Sequence, residues 1–238
     1  MFVYTFENIG IIKNLKHSDS IKPKHQKRIS GVKDGMFADF DYSELKDDNP
    51  PKNESLKTHQ ELKSLQKLPE DANFVKEMDT IEDVFEKICK RNGVEWPEEE
   101  IEKVLDESSG IILDLKYHFN RPRPGILAKH YNMKLAEVIL SSMKTPSYPS
   151  GHAVQGTLVG LYLAEKYDRA KLGTEFINAG KDIAKSRLIA RAHYPSDRDF
   201  GEKIGKKLFQ YIKSDIENKI WYDFGYFLIL IYKYNPIK

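Results

Sequence analysis

The 238-residue chain is 40% hydrophobic and 31% charged, which suits one domain with extensions and a well-solvated surface. Its 38 Lys+Arg against 36 Asp+Glu give a formal charge of +2, so no net charge points to a nucleic-acid partner. Cys89 stands alone, which excludes an internal disulfide framework and a multi-cysteine metal site.

Met1 to Ser18 has no basic lead and no small-residue cleavage site, so no secretory signal is read there. The longest apolar run, Phe224 to Tyr232, is about half of the roughly 20 residues that a membrane-spanning helix needs. The expectation is a soluble, cytoplasmic protein. Residues 1–54 read as an irregular arm, basic and broken from Lys13 to Lys33, then acidic with Gly35, Pro50 and Pro51. Solvation explains such a segment; contact with an anionic lipid or polymer is the lesser expectation.

Beyond Ser55 the apolar residues recur at helical spacing, which predicts an all-α bundle over 55–217. Leu56, Leu62, Leu65 and Leu68 mark a first helix. Val75, Met78, Ile81, Val84, Phe85 and Ile88 mark a second that ends near Asn92 and Gly93. Pro97 and the acids Glu98, Glu99 and Glu100 open a third, which carries Ile101 to Leu115 until Pro122 and Pro124 stop it. A short helix is expected around Leu135 to Met143, then helices at Ser150 to Tyr167, Thr174 to Ala192 and Asp197 to Ile216. The tail, 218–238, crowds seven aromatics around Leu228 to Ile231. It is expected to pack on the body or across a homodimer contact, with peripheral membrane contact as the alternative.

Three segments carry the chemistry. The first holds Lys116 and Arg123, seven residues apart, which would share a face if the helix persisted that far. The second is Pro149-Ser150-Gly151-His152, where Ser150 suits an N-cap and the first helical amides form a ready anion site. The third runs from Ser186 and Arg187 to His193 and Asp197. Arg187 shares a stripe with Gly180, Ile183 and Ala184, so it should face inward. The spacing of His193 and Asp197 lets a carboxylate hold one imidazole nitrogen and leave the other free. Three cations, a set of amide donors and an oriented histidine want a multivalent oxyanion, and phosphate fits in charge and acceptor number.

In order and spacing the set resembles the type 2 phosphatidic acid phosphatase superfamily, which includes bacterial non-specific acid phosphatases, lipid phosphatases and vanadium haloperoxidases. The shared pattern reads Lys116-(six)-Arg123-Pro124, then Pro149-Ser150-Gly151-His152, then Ser186-Arg187-(five)-His193-(three)-Asp197, within residues 75–215. The resemblance implies that Lys116, Arg123, Arg187, Ser150 and Gly151 bind the phosphoryl oxygens. It further implies that His193 attacks phosphorus, Asp197 orients its ring and His152 protonates the leaving oxygen. The implied activity is hydrolysis of a small phosphomonoester through a phosphohistidine, with no metal or other cofactor and with inhibition by vanadate. The alternatives within the superfamily are a haloperoxidase with bound vanadate and a lipid phosphatase docking peripherally on membranes.

Overall fold

Apolar side chains at Ile81, Val84, Phe85 and Ile88 recur at i, i+3, i+4 and i+7 and form the buried stripe of a helix spanning Ile81–Arg91. This helix is one element of an all-α fold. The computed structural model describes the backbone of residues 6–17 and 20–234, and the side chains of 9–17 and 20–214. In chain order the helices are α1 (Phe6–Asn14), α2 (Pro23–Gly31), α3 (Leu56–Gln66), α4 (Ala72–Glu77) and α5 (Ile81–Arg91). They continue with α6 (Glu98–Phe119), α7 (Pro124–His130), α8 (Gly151–Tyr167), α9 (Ala170–Ile189) and α10 (Pro195–Tyr234). Among the described residues there is no strand, and no helix is long and apolar enough to cross a membrane.

α8 and α9 form the centre as an antiparallel pair. Gly156 faces Gly180, Gly160 faces Phe176 and Gly173 faces Ala164. A Cβ at Gly180 would run into the Gly156 carbonyl, so the two backbones touch where side chains would otherwise hold them apart. α10 approaches the start of α8 just as closely: a Cβ at Gly201 would lie 2.6 Å from the Ser150 carbonyl oxygen. The main core gathers Phe85 from α5, Leu105 and Ile112 from α6, Val154 and Leu158 from α8, Ile183 from α9 and Leu208 from α10. Two smaller clusters flank the turn between α9 and α10, one around Leu62, Leu127 and Tyr194, the other around Val75, Ile189 and Ala192. His193 therefore sits on a turn clamped from both sides.

Several elements differ from the sequence reading. The single helix expected through Val75 and Ile88 is two, α4 and α5, interrupted where Thr80 takes extended backbone geometry (ψ 108°). α6 ends at Phe119, before the prolines, because Asn120 turns left-handed (φ 49°) and its N–H closes on the Lys116 carbonyl. Lys116 and Arg123 therefore do not share a helix face, because α6 has ended between them. The short helix lies at Pro124–His130, with Pro124 in its first turn, whereas 135–143 is extended until a 3₁₀ turn at Ser141–Lys144. α10 starts at Pro195 and runs as one helix past Ile216 to Tyr234.

The first 54 residues are not irregular throughout, since they hold α1, α2 and two 3₁₀ turns and bury Phe37 and Leu45 in the main core. Their broken periodicity hid short elements that gain stability from docking, not from their own length. The side-chain packing of the tail, 218–238, lies outside the described residues.

Candidate active site

The loop before α8 is held from below by a buried lysine. Ser150 caps α8, its Oγ accepting from the Ala153 N–H at 3.4 Å. Lys116, 5% exposed, donates from Nζ to the carbonyls of Pro146 and Pro149, both at 2.7 Å. Two of its three N–H bonds thus shape the loop, which leaves the third for a ligand. Burial, and then the Arg123 charge, push its pKa well below the ordinary lysine value. A methyl group placed on Gly151 would stand 3.9 Å from Lys116 Cε, so the bare glycine keeps open the space between the lysine and the helix N-terminus.

Arg123 enters from the opposite side. Its guanidinium donates to the carbonyls of Thr145 (2.9 Å), Ser142 (3.0 Å) and Ala192 (2.8 Å). Its Nη1 also lies 2.9 Å from His193 Nε2. Arginine has no acceptor, so Nε2 must receive this hydrogen bond with its lone pair and carries no proton. The ring proton then sits on Nδ1, which donates to Asp197 Oδ2 at 3.3 Å. Burial and the Arg123 charge hold the His193 pKa well below 6.5, so the imidazole is neutral. A neutral ring with one nitrogen tied to a carboxylate and the other unprotonated is the state a nucleophilic histidine requires.

Asp197 occupies the third position of α10. Its Oδ2 reaches back to the Tyr194 N–H (3.0 Å) at the helix start and also accepts from Ser147 Oγ. Oδ1 accepts from Arg121 Nη1 at 2.6 Å. Burial opposes its charge, but Arg121 and these donors outweigh that and keep the carboxyl well below the usual range. Arg121 in turn bridges to Glu61 at 3.1 Å and lies 3.8 Å from the centre of the Tyr194 ring. Glu61 caps α10 through the Ser196 N–H at 2.8 Å.

His152 opens α8 beside Arg187. Its Nε2 is 3.0 Å from the Asp79 carbonyl and 3.4 Å from Arg187 Nη1. The shorter contact is to an acceptor, which places the proton on Nε2. Burial and the Arg187 charge push its pKa down to about 4. Arg187 is fully buried, as its stripe predicted, and donates to Asp79 Oδ1 (2.6 Å), Ser186 Oγ (2.9 Å) and the Val75 carbonyl (3.1 Å).

Lys116, Arg123, Gly151, His152 and His193 line one cavity of about 870 Å³. Ser150, Arg187 and Asp197 stand behind that wall. Ser150 caps the helix, Arg187 backs His152 and Asp197 backs His193. Sequence reasoning missed Arg121, Glu61, Ser147 and Asp79. Arg121 lay in view inside Arg121-Pro-Arg123-Pro, but nothing local marks it as buried, and its partner Glu61 is sixty positions away. Among the described residues no group of three or more His, Cys, Asp or Glu side chains is placed to hold a metal ion.

Residues 108–209 match the family model of the PAP2 superfamily. Two curated relatives, both non-specific acid phosphatases, come from Salmonella typhimurium (strain LT2) and Salmonella typhi. They are 34% and 32% identical over 99 residues, which cover 42% of this chain and 38% of each relative. The chain thus spans well under half the length of the curated relatives it matches.

Proposed function

We propose that this chain, whose residues 108–209 match the PAP2 superfamily, hydrolyses phosphomonoesters through a phosphohistidine and without a metal. The observation that carries the reading is the state of His193, neutral, with Nδ1–H on Asp197 and an unprotonated Nε2 that accepts from the Arg123 guanidinium. The acid phosphatases it resembles support the substrate class.

In the first step Nε2 attacks phosphorus, the P–O bond to the leaving group breaks, and protonated His152 supplies the proton to the departing oxygen. Asp197 stabilises the positive ring that forms. Arg123 shifts its hydrogen bond from Nε2 to a phosphoryl oxygen, and Lys116, the Gly151 amide and Arg187 share the remaining charge. In the second step His152, now neutral, takes a proton from water as that oxygen attacks phosphorus and the P–N bond breaks, releasing phosphate. Three cations here carry the charge that metal ions carry in metallophosphatases.

The test is p-nitrophenyl phosphate hydrolysis with and without EDTA, together with acid-quench trapping of phosphoprotein. Chelator-resistant turnover inhibited by vanadate, with a base-stable and acid-labile phosphoenzyme absent from His193→Ala, is expected. Activity lost on chelation and restored by zinc or magnesium would overturn the reading.

A further inference from the structure

The basic stretch near the N-terminus is part of the cavity wall. α2 lies along α6 so closely that a Cβ at Gly110 would stand 2.6 Å from the Arg28 carbonyl. His25 Nδ1 meets Tyr117 Oη at 2.7 Å, and Arg28 pairs with Asp106 at 2.8 Å. His25 is buried, and three separate contacts thus fix the helix in place.

This docking places the lysines. Tyr117 follows Lys116 in sequence, so the contact of His25 with Tyr117 brings its neighbours Lys24 and Lys27 to the cavity that Lys116 lines. Lys22, Lys24 and Lys27 line the same cavity as Lys116, Arg123 and His193, and Lys144 lines it from the 3₁₀ turn Ser141–Lys144. Asp106 and Glu107 line the cavity too, but Asp106 pairs with Arg28 and Glu107 accepts from the Met36 N–H, so neither pairs with these lysines. Among the described residues none of the four lysines forms an ion pair.

Four like charges around one mouth repel one another, and an anion seated there relieves that repulsion. The cavity, about 870 Å³, has the size of a whole small-molecule site and is far larger than one phosphoryl group needs. With one phosphoryl group on Lys116 and Arg123, the remaining space extends to the lysines of α2 and of the Ser141–Lys144 turn.

We propose that Lys22, Lys24 and Lys27 of the α2 segment, with Lys144 opposite, form a second anion subsite, so that the preferred substrate is a small molecule bearing two phosphates. This deepens the phosphatase reading and rests on it. Lysine suits such a subsite, because its flexible, point-like charge serves a second phosphate at several distances from the first.

The experiment has a kinetic and a binding arm, each run on the full chain and on the triple variant Lys22→Gln, Lys24→Gln, Lys27→Gln. Kinetically, fructose 1,6-bisphosphate is compared with fructose 6-phosphate. The ratio of their kcat/KM values should exceed roughly ten in the parent, the size of one well-placed charge-assisted contact, and should collapse towards one in the variant. In the binding arm, calorimetry compares butane-1,4-bisphosphonate with butylphosphonate, whose C–P bonds cannot be hydrolysed. The bisphosphonate should bind roughly tenfold tighter, and the triple variant should remove that margin.

If neither sugar phosphate is turned over while the bisphosphonate margin holds, the subsite stands and the phosphatase reading falls. Equal binding of the two phosphonates, or a margin that survives the triple variant, overturns the subsite. Loss of binding to vesicles of phosphatidylserine and phosphatidylcholine in the variant, with the bisphosphonate margin intact, would assign the lysines to a membrane surface and also overturn it.

Discussion

Arg121 Nη1 stands 2.6 Å from Asp197 Oδ1, and neither residue is more than 2% exposed. The pair ties the carboxylate that holds the His193 ring to Glu61 on α3, so the support of that ring reaches a helix outside the motif-bearing segments. Buried charges of this kind are costly to desolvate and hold only while every partner is present.

Removing Arg121 should therefore cost far more than an ordinary substitution. Arg121→Met leaves Asp197 and Glu61 as buried, uncompensated carboxylates, a loss of about 3–5 kcal/mol. The sign with pH follows. Asp197 is held below its unfolded pKa, so its contribution is present above that value and is lost as pH falls through the folded one. In the variant this loss should begin at a higher pH than in the parent. Urea unfolding across pH 3–7 checks both statements, and a variant as stable as the parent would show that Arg121 is not part of the support.

Asp197→Asn should spare more of the fold and less of the chemistry. The amide keeps the volume and can still meet Tyr194 N–H or Arg121, but it no longer carries the charge that balances a positive ring. By analogy with the orienting aspartate of the serine-protease triad, turnover should fall by about 10⁴-fold. Steady-state kinetics with p-nitrophenyl phosphate measures this, and a drop below tenfold would remove Asp197 from the mechanism.

The set that lines the cavity was legible in the sequence, because Lys116, Arg123, Gly151, His152 and His193 sit in short motifs whose spacing reflects one local backbone geometry each. Arg187 was legible as well, since a cation on a glycine- and isoleucine-rich stripe has to face inward. What escaped was the set of long-range partners. Asp79 touches Arg187 across 108 positions and Ser147 touches Asp197 across 50, and neither carries a local mark of its partner. The fold class followed from period alone. The break at Thr80, the left-handed Asn120 and the docked α2 did not, since each depends on tertiary contacts that override short-range pattern.

Both histidines should make the protein lose stability towards acid. Each is held neutral in the fold with its pKa lowered from 6.5, His152 to about 4. Between these values the unfolded chain binds more protons than the folded one, so stability falls as pH drops from about 6.5 to about 4. Vanadate should offset the loss by binding the folded form. Thermal unfolding at pH 7, 5.5 and 4 checks this; a midpoint unchanged over the window would contradict the buried, neutral state.

On the proposed mechanism, Asp79 is the carboxylate that a bound phosphate has to contend with. Its Oδ1 is 2.6 Å from Arg187 Nη1 and 3.6 Å from His152 Nε2, and the side chain is 38% exposed, so it can swing away without opening the core. Its carboxylate satisfies the Arg187 charge; on the proposed mechanism a phosphoryl oxygen reaching past His152 to Arg187 would compete with it for that guanidinium. Asp79→Asn removes the competing charge, so orthophosphate and vanadate should bind more tightly, by a few-fold to about tenfold for one partly exposed ion pair. The same substitution acts on His152 in the opposite sense. Burial and Arg187 already lower its pKa, and Asp79 is among the groups that raise it. Without that charge the pKa falls further, and protonated His152, the proposed acid for the leaving oxygen, becomes scarcer at a given pH. The pH profile of kcat/KM on a poor leaving group should thus shift its descending limb to lower pH, while product inhibition by phosphate strengthens. Measuring both in one variant separates the two roles: tighter phosphate with an unmoved pH limb would leave Asp79 as a competitor for Arg187 alone, and neither change would place it outside the site.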